Sequence, residues 1–219
     1  MATENPPILQ IALDYTSLEP AVRIASIASR FKHTIIEAGT PLIKAEGARS
    51  ISILSAASQG KPVVADTKTM DAADLEVDTM ARYGAEEVTV LSAAADETIK
   101  MAVEEAHKRG LIVSIDTISS KNPLEEAVRA ARLGADIVEL HVGVDVQRRL
   151  GVTIQQLLDL VPRVKKETGR IVAVAGGIRP DTARIAAEKG ADIIIVGGYI
   201  TRSENPEEAI KTILEAIRG

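Results

Sequence analysis

A closed (β/α)8 barrel forming one domain over residues 1–219 is the fold class the sequence predicts, and three observations predict it. One phrase occurs three times: Tyr83-Gly-Ala-Glu-Glu-Val-Thr-Val-Leu91, Leu133-Gly-Ala-Asp-Ile-Val-Glu-Leu-His141 and Lys189-Gly-Ala-Asp-Ile-Ile-Ile-Val-Gly197. Each reads as a helix ending at Gly, a short acidic step, then a strand. Aliphatic runs of strand length also alternate with amphipathic stretches eight times, with no linker between them. Finally, the runs are rich in Ile and Val, as in parallel strands buried on both faces. An open doubly wound sheet would more often carry a Gly-rich dinucleotide turn after its first strand. Here that strand ends Leu13-Asp14-Tyr15-Thr16.

The expected strands, in order, are Ile8–Leu13, Thr34–Ala38, Pro62–Asp66, Glu87–Leu91, Leu111–Asp116, Ile137–His141, Ile171–Ala175 and Ile193–Gly197. Between them, apolar residues three and four apart mark helices. The first is Ala21–Phe31, with Val22, Ile24, Ala25, Ala28 and Phe31 on its apolar side. The others are Gly47–Ser58, Ala73–Tyr83, Glu97–Arg109, Leu124–Leu133, Ile154–Glu167, Asp181–Lys189 and Pro206–Arg218. Pro206 suits a first helical turn behind an Asn205 cap.

Composition narrows the function. The net charge of -5 argues against a nucleic-acid binder, which should show a basic face. The lack of cysteine removes disulfides, thiolate nucleophiles and cysteine-ligated metals. No apolar run is long enough to span a bilayer, and Met1–Pro7 lacks a signal pattern, so a cytoplasmic location is expected. Phosphate remains an acceptable ligand, because backbone amides bind it without a net positive charge.

Catalytic groups of such barrels stand at the C-terminal ends of the strands. Those positions hold Asp14, Glu37, Asp66 with Lys68 and Asp71, Asp116, His141, and the pairs Gly176-Gly177 and Gly197-Gly198. A lone strand-end Asp is readily explained as a helix cap, and Asp116 is set aside on that ground. Capping does not explain Asp14, Glu37, Asp66, Lys68 and Asp71 together, a lysine among four acids. Glu37 and Asp66, from neighbouring strands, suit a hard divalent cation such as magnesium. His141 is the one histidine at a strand end; His33 and His107 read as surface residues. The glycine pairs stand where barrels frequently hold phosphate. Arg202, just beyond, is placed either to join that contact or to face solvent.

The run Asp66-Thr-Lys68-Thr-Met-Asp71 resembles the Asp-x-Lys-x-x-Asp signature of the orotidine-5'-phosphate decarboxylase suprafamily, and the likeness extends over nearly the whole chain. Several strings are similar to those of the 3-hexulose-6-phosphate synthases within it: Leu9–Asp14, Ile36–Gly47, Val64–Asp71, His141–Gln147 and Val172–Ile178. The resemblance implies reversible, magnesium-dependent condensation of formaldehyde with D-ribulose 5-phosphate. It gives Glu37 and Asp66 to the metal, Asp14 and Lys68 to substrate hydroxyls, and His141 to proton transfer. Gly176, Gly177, Gly197 and Gly198 would cradle the phosphate. Asp71 would complete the partner's site in a homodimer.

That chemistry is coherent on its own terms. Taking a proton beside a ketone makes an enediolate, which a divalent cation and Lys68 would stabilise. A histidine with a near-neutral pKa would carry the proton.

Two relatives differ at single positions. The pyrimidine decarboxylases typically end the second strand in Lys, where this chain has Glu37. The 3-keto-L-gulonate-6-phosphate decarboxylases share Glu37, Asp66, Lys68, Asp71 and His141, but usually place Arg three residues after the histidine. Val144 stands there, followed by Asp145 and Gln147 in the synthase manner. The chain departs from the common synthase string at Ala73, where Gly is usual. A non-catalytic phosphate-metabolite-binding barrel is a further reading, opposed by the intact charged set.

Overall fold

The computed structural model describes residues 6–219. Eight parallel strands close on themselves in chain order. They are β1 (Ile8–Leu13), β2 (Thr34–Ala38), β3 (Val63–Thr69), β4 (Glu87–Leu91), β5 (Ile112–Asp116), β6 (Ile137–His141), β7 (Ile171–Ala175) and β8 (Ile193–Val196). β8 pairs back onto β1, with Leu9 opposite Ile194.

Strand alternation sorts side chains into two layers. The outward set is aliphatic: Leu9, Ile11, Leu13, Ile36, Val90, Val113, Ile115, Leu140, Val174 and Ile194 are fully buried beneath the helices. Each such side chain contributes about 1.5–3 kcal/mol by leaving water. The inward set is divided. Ala12, Ile137, Ala173, Ala175, Ile193 and Ile195 form a small apolar cluster of their own. Gln10, Glu37, Asp66, Glu87, Thr89, Ser114, Asp116 and Glu139 are also buried, and polar.

The three recurring phrases fold as expected. Gly84, Gly134 and Gly190 have φ of 87°, 101° and 90°, a conformation glycine adopts without a Cβ clash. Three differences from the expected elements have physical causes. The first helix is Leu18–Ala28, so Pro20 lies within the first turn, where its missing N–H costs nothing. The expected helix Ile154–Glu167 divides into Gln155–Leu158 and Val161–Thr168. Pro162 donates no hydrogen bond and clashes with a preceding turn. Short helices also occupy Thr40–Glu46, Val144–Leu150 and Gly198–Thr201. Each follows a strand end behind a glycine cap, and their length gives too little periodicity to read.

Candidate active site

β3 sets the geometry of the mouth. It runs to Thr69, past the expected end at Asp66, and its register against β4 slips: Ala65 faces Val88, but Thr69 faces Val90. Two extra residues are thus accommodated, and Lys68 takes a left-handed φ of 48°. Such a conformation costs a non-glycine residue about 1–2 kcal/mol. It is offset by tethers: Thr67 Oγ1 donates to the Thr89 carbonyl at 2.8 Å, and Lys68 N donates to Thr89 Oγ1 at 3.0 Å.

The Lys68 ammonium bridges two acids, Asp116 Oδ2 at 2.6 Å and Asp66 Oδ1 at 3.1 Å. Burial acts to lower its pKa, but Asp116 and Asp66 outweigh that and raise it, so the amine stays charged. Asp66 is held on both oxygens. Thr89 Oγ1 donates to Oδ1 at 2.7 Å, and Thr40 Oγ1 to Oδ2 at 2.7 Å.

Asp116 has no solvent exposure. Its Oδ1 accepts the Ile118 N–H at 2.8 Å, the local turn that made it read as a cap. Its Oδ2 meets both Lys68 and His141 Nδ1, the latter at 3.1 Å. Burial acts to raise its pKa, but His141 and Lys68 bring it down to about 2. Asp116 is thus the centre of the charged network, and the capping reading is corrected. Glu139 Oε1 also lies 3.1 Å from His141 Nδ1. Burial acts to lower the histidine pKa, yet Asp116 and Glu139 push it up to about 10. The near-neutral histidine expected from the sequence is therefore corrected: two carboxylates stabilise the imidazolium.

Glu37 is buried on β2, and Gln10 Nε2 donates to its Oε2 at 2.7 Å. Burial, then repulsion by Asp66, Glu139 and Asp14, holds its carboxyl well above the usual range. Glu87 is pushed up to about 8 by burial and by Glu139. Asp14 is the exposed member of the set. The enclosure of its carboxyl and the charge of Asp66 raise its pKa. Gly39 is needed beside it, because a methyl there would collide with Asp14 Oδ1.

This charge distribution has a chemical consequence. Five carboxyls, Glu37, Asp66, Glu87, Asp116 and Glu139, are buried, and among the described residues Lys68 and His141 pair with Asp66, Asp116 and Glu139 alone. Gln10 Oε1, on the amide that binds Glu37, is buried without a partner. An excess of carboxyl oxygens, raised in pKa by one another, beside an unused amide acceptor fits a hard divalent cation. Ligand atoms of Asp116, Glu139 and His141 also lie within 4.8 Å of one another, but there the imidazole Nδ1 already faces both carboxylates.

The chain matches the orotidine 5'-phosphate decarboxylase / HUMPS family over residues 7–213. The chain belongs to this family. It is 38% identical to a 3-hexulose-6-phosphate synthase of Staphylococcus epidermidis, covering 96% of this chain and 99% of that one. A crystal structure of a 3-hexulose-6-phosphate synthase superposes with a TM-score of 0.89 at 37% identity, covering 96% and 99% of the two chains. The 3-keto-L-gulonate-6-phosphate decarboxylase of Vibrio cholerae superposes with a TM-score of 0.83 at 26% identity, covering 98% of each.

The rim of this orotidine 5'-phosphate decarboxylase / HUMPS family barrel carries the other expected residues. Gly176 and Gly177 have φ of 108° and 70°. A side chain at Gly176 would strike the Val142 carbonyl, and the left-handed φ of Gly177 favours glycine, so backbone and packing already account for this pair. Gly197 and Gly198 have no positive φ; they border Asp14 and the Arg202 guanidinium, respectively. Arg179, which the sequence reading passed over, places its guanidinium 5.8 Å from the centre of the Tyr199 ring, so a second arginine stands beside the glycine pairs. Its signal was its position, two residues after Gly177 and just before Pro180. Asp71 is exposed and is not brought to the Lys68 network. The Thr69 hydroxyl and the Glu76 carboxylate bond across its loop. The left-handed residue of that loop is Ala72, while Ala73 starts the helix Ala73–Arg82, so the absence of Gly at position 73 costs no strain. His33 and His107 are exposed, as expected.

Glu139 was missed as well. It lies two residues before His141 on the same strand, hence on the same inward face, and that spacing was a legible signal.

Proposed function

We propose that this chain is a 3-hexulose-6-phosphate synthase, an aldehyde-lyase that reversibly joins formaldehyde to D-ribulose 5-phosphate through an enediolate. The observation that carries the reading is the residue three positions past the end of β6. Val144, half exposed at the mouth, replaces the cation that the keto-acid decarboxylases usually place there. Its isopropyl group gives a substrate carboxylate no charged partner, whereas formaldehyde needs none. The near full-length identity to named synthases supports the same reading.

In this reading Glu37 and Asp66 hold magnesium. When bound, the ion supplies positive charge to the oxygens of the substrate. Lys68, kept charged by its two acids, binds a substrate hydroxyl and adds a second positive group. Asp14, at the rim, orients the neighbouring hydroxyl. His141 exchanges the proton at the reacting carbons, with Asp116 accepting from its Nδ1. Gly176, Gly177, Gly197, Gly198 and Arg202 take the phosphate. The enzyme works in the cytoplasm as a homodimer, with Asp71 completing the partner's site. Met70 and Leu75, exposed beside Asp71, support an apolar interface there. No helix of the described residues is long and apolar enough to cross a membrane.

Formaldehyde consumption with ribulose 5-phosphate, measured with magnesium and again with a chelator, tests the reading. Metal-dependent turnover is expected. Carbon dioxide release from a 3-keto sugar-acid phosphate without aldol turnover would replace the synthase by the decarboxylase. Phosphate-ligand binding with neither reaction would leave a binding barrel. For the dimer, mixing inactive Asp71→Ala and Lys68→Ala variants should restore part of the activity once subunits exchange.

A further inference from the structure

Glu139 is a buried carboxylate to which the proposed reaction gives no part. Its side chain is 6% exposed, and its ion-pair partner among the described residues is His141. A buried carboxylate without a cation is costly, so its placement needs a reason. His141 Nδ1 faces two acids from adjacent strands, Asp116 Oδ2 on β5 and Glu139 Oε1 on β6, each at 3.1 Å. The contact to Asp116 has hydrogen-bond geometry; the one to Glu139 is an ion-pair contact. A ring nitrogen carries one hydrogen, so Asp116 accepts it and Glu139 acts through its charge. A flipped ring would turn a C–H edge toward both carboxylates.

We propose that Glu139 is a positioning residue for His141: with Asp116 it encloses Nδ1, so that Nδ1 keeps its proton and Nε2 is the atom that exchanges one with the substrate. This rests on the role in proton transfer given to His141 above. The charged groups facing the ring are Asp116 from β5, Glu139 from β6 and Asp14 from the end of β1. Lys68 from β3 reaches the ring through Asp116. Of these, Glu139 adds charge without entering the Lys68 bridge.

Nitrogen-15 NMR of the histidine ring in the full chain tests this directly. The wild type should stay an imidazolium across neutral pH and, above its titration, keep the remaining proton on Nδ1. Glu139→Gln, close in shape and uncharged, should lower the ring titration by about 1–3 pH units, the usual effect of an adjacent opposite charge. The pH profile of kcat should move the same way while KM changes little. Glu139→Asp should recover part of the shift. An unchanged ring titration and tautomer in folded Glu139→Gln would overturn the proposal. Were that variant not to fold, an unchanged titration in folded Glu139→Ala, which also removes the charge, would do so. His141→Gln separates the two readings. Full turnover there would remove the histidine from the chemistry, and the exchange at Nε2 with it. An inactive His141→Gln beside an unmoved titration in Glu139→Gln would sink the role of Glu139 alone.

Discussion

The barrel interior has two unlike sides. From β7 through β8 to β1 it is filled by Ala173, Ala175, Ile193, Ile195 and Ala12, with Ile137 reaching across from β6. From β2 to β6 it holds Glu37, Asp66, Glu87, Thr89, Ser114, Asp116 and Glu139. Both sides are covered by the same aliphatic outer layer. The apolar side is closed by packing and stabilises the fold. The polar side concentrates carboxyls whose pKa values are driven apart, Asp116 down to about 2 and Glu87 up to about 8, which is the condition for acid–base work. Stability and chemistry are thus divided by strand, and the glycine-rich rim lies over the apolar side while Lys68 and His141 face it from the other.

Asp66→Asn should give the largest effect. It removes one of the two acids on Lys68 and a proposed metal ligand, so kcat/KM should fall about 10²–10³-fold and the response to magnesium should vanish. Magnesium-dependent turnover at the wild-type rate would break the assignment of chemistry to the polar side.

Glu87→Gln should give a smaller effect, visible as pH dependence. The folded carboxyl holds its proton up to about pH 8, while the unfolded one releases it near the ordinary value of 4.5. Between those values the native state binds more protons, so stability falls as pH rises, by at most about 1.4 kcal/mol per pH unit. The amide has no proton to lose, and denaturant midpoints of the variant should be flatter across that window. Parallel curves for variant and wild type would refute the buried-acid account.

Ile137→Val should be smallest. It deletes one methylene from the apolar cluster, costing about 0.5–1.5 kcal/mol in unfolding experiments and leaving kcat within twofold. A loss of kcat comparable with that of Asp66→Asn would erase the division between the two sides.

Much of the barrel was legible because its signals are local. The three Gly-Ala phrases carry both the helix stop and the following strand, and every strand appeared within three residues of its expected bounds. Site groups at strand ends were legible for the same reason, since the fold fixes where such ends point. The roles of Asp116 and Glu139 were not. A turn at Asp116 looks alike in sequence whether its second oxygen faces solvent or a lysine 48 residues away. Glu139 looks like a polar break in an aliphatic strand until β5 is beside it.

By itself the sequence determined the order of strands and helices, the closed parallel architecture, and the run from Asp66 to Asp71 as the centre of the mouth. Periodicity and glycine stops act over a few residues and need no partner. Only the tertiary structure decided the charge of the site. A pKa depends on burial and on charges within a few ångströms, and barrel closure alone brings Asp116 and Glu139 onto His141. The histidine that the chain presents as an ordinary shuttle has, in the closed barrel, two acids against its Nδ1 that favour the charged ring.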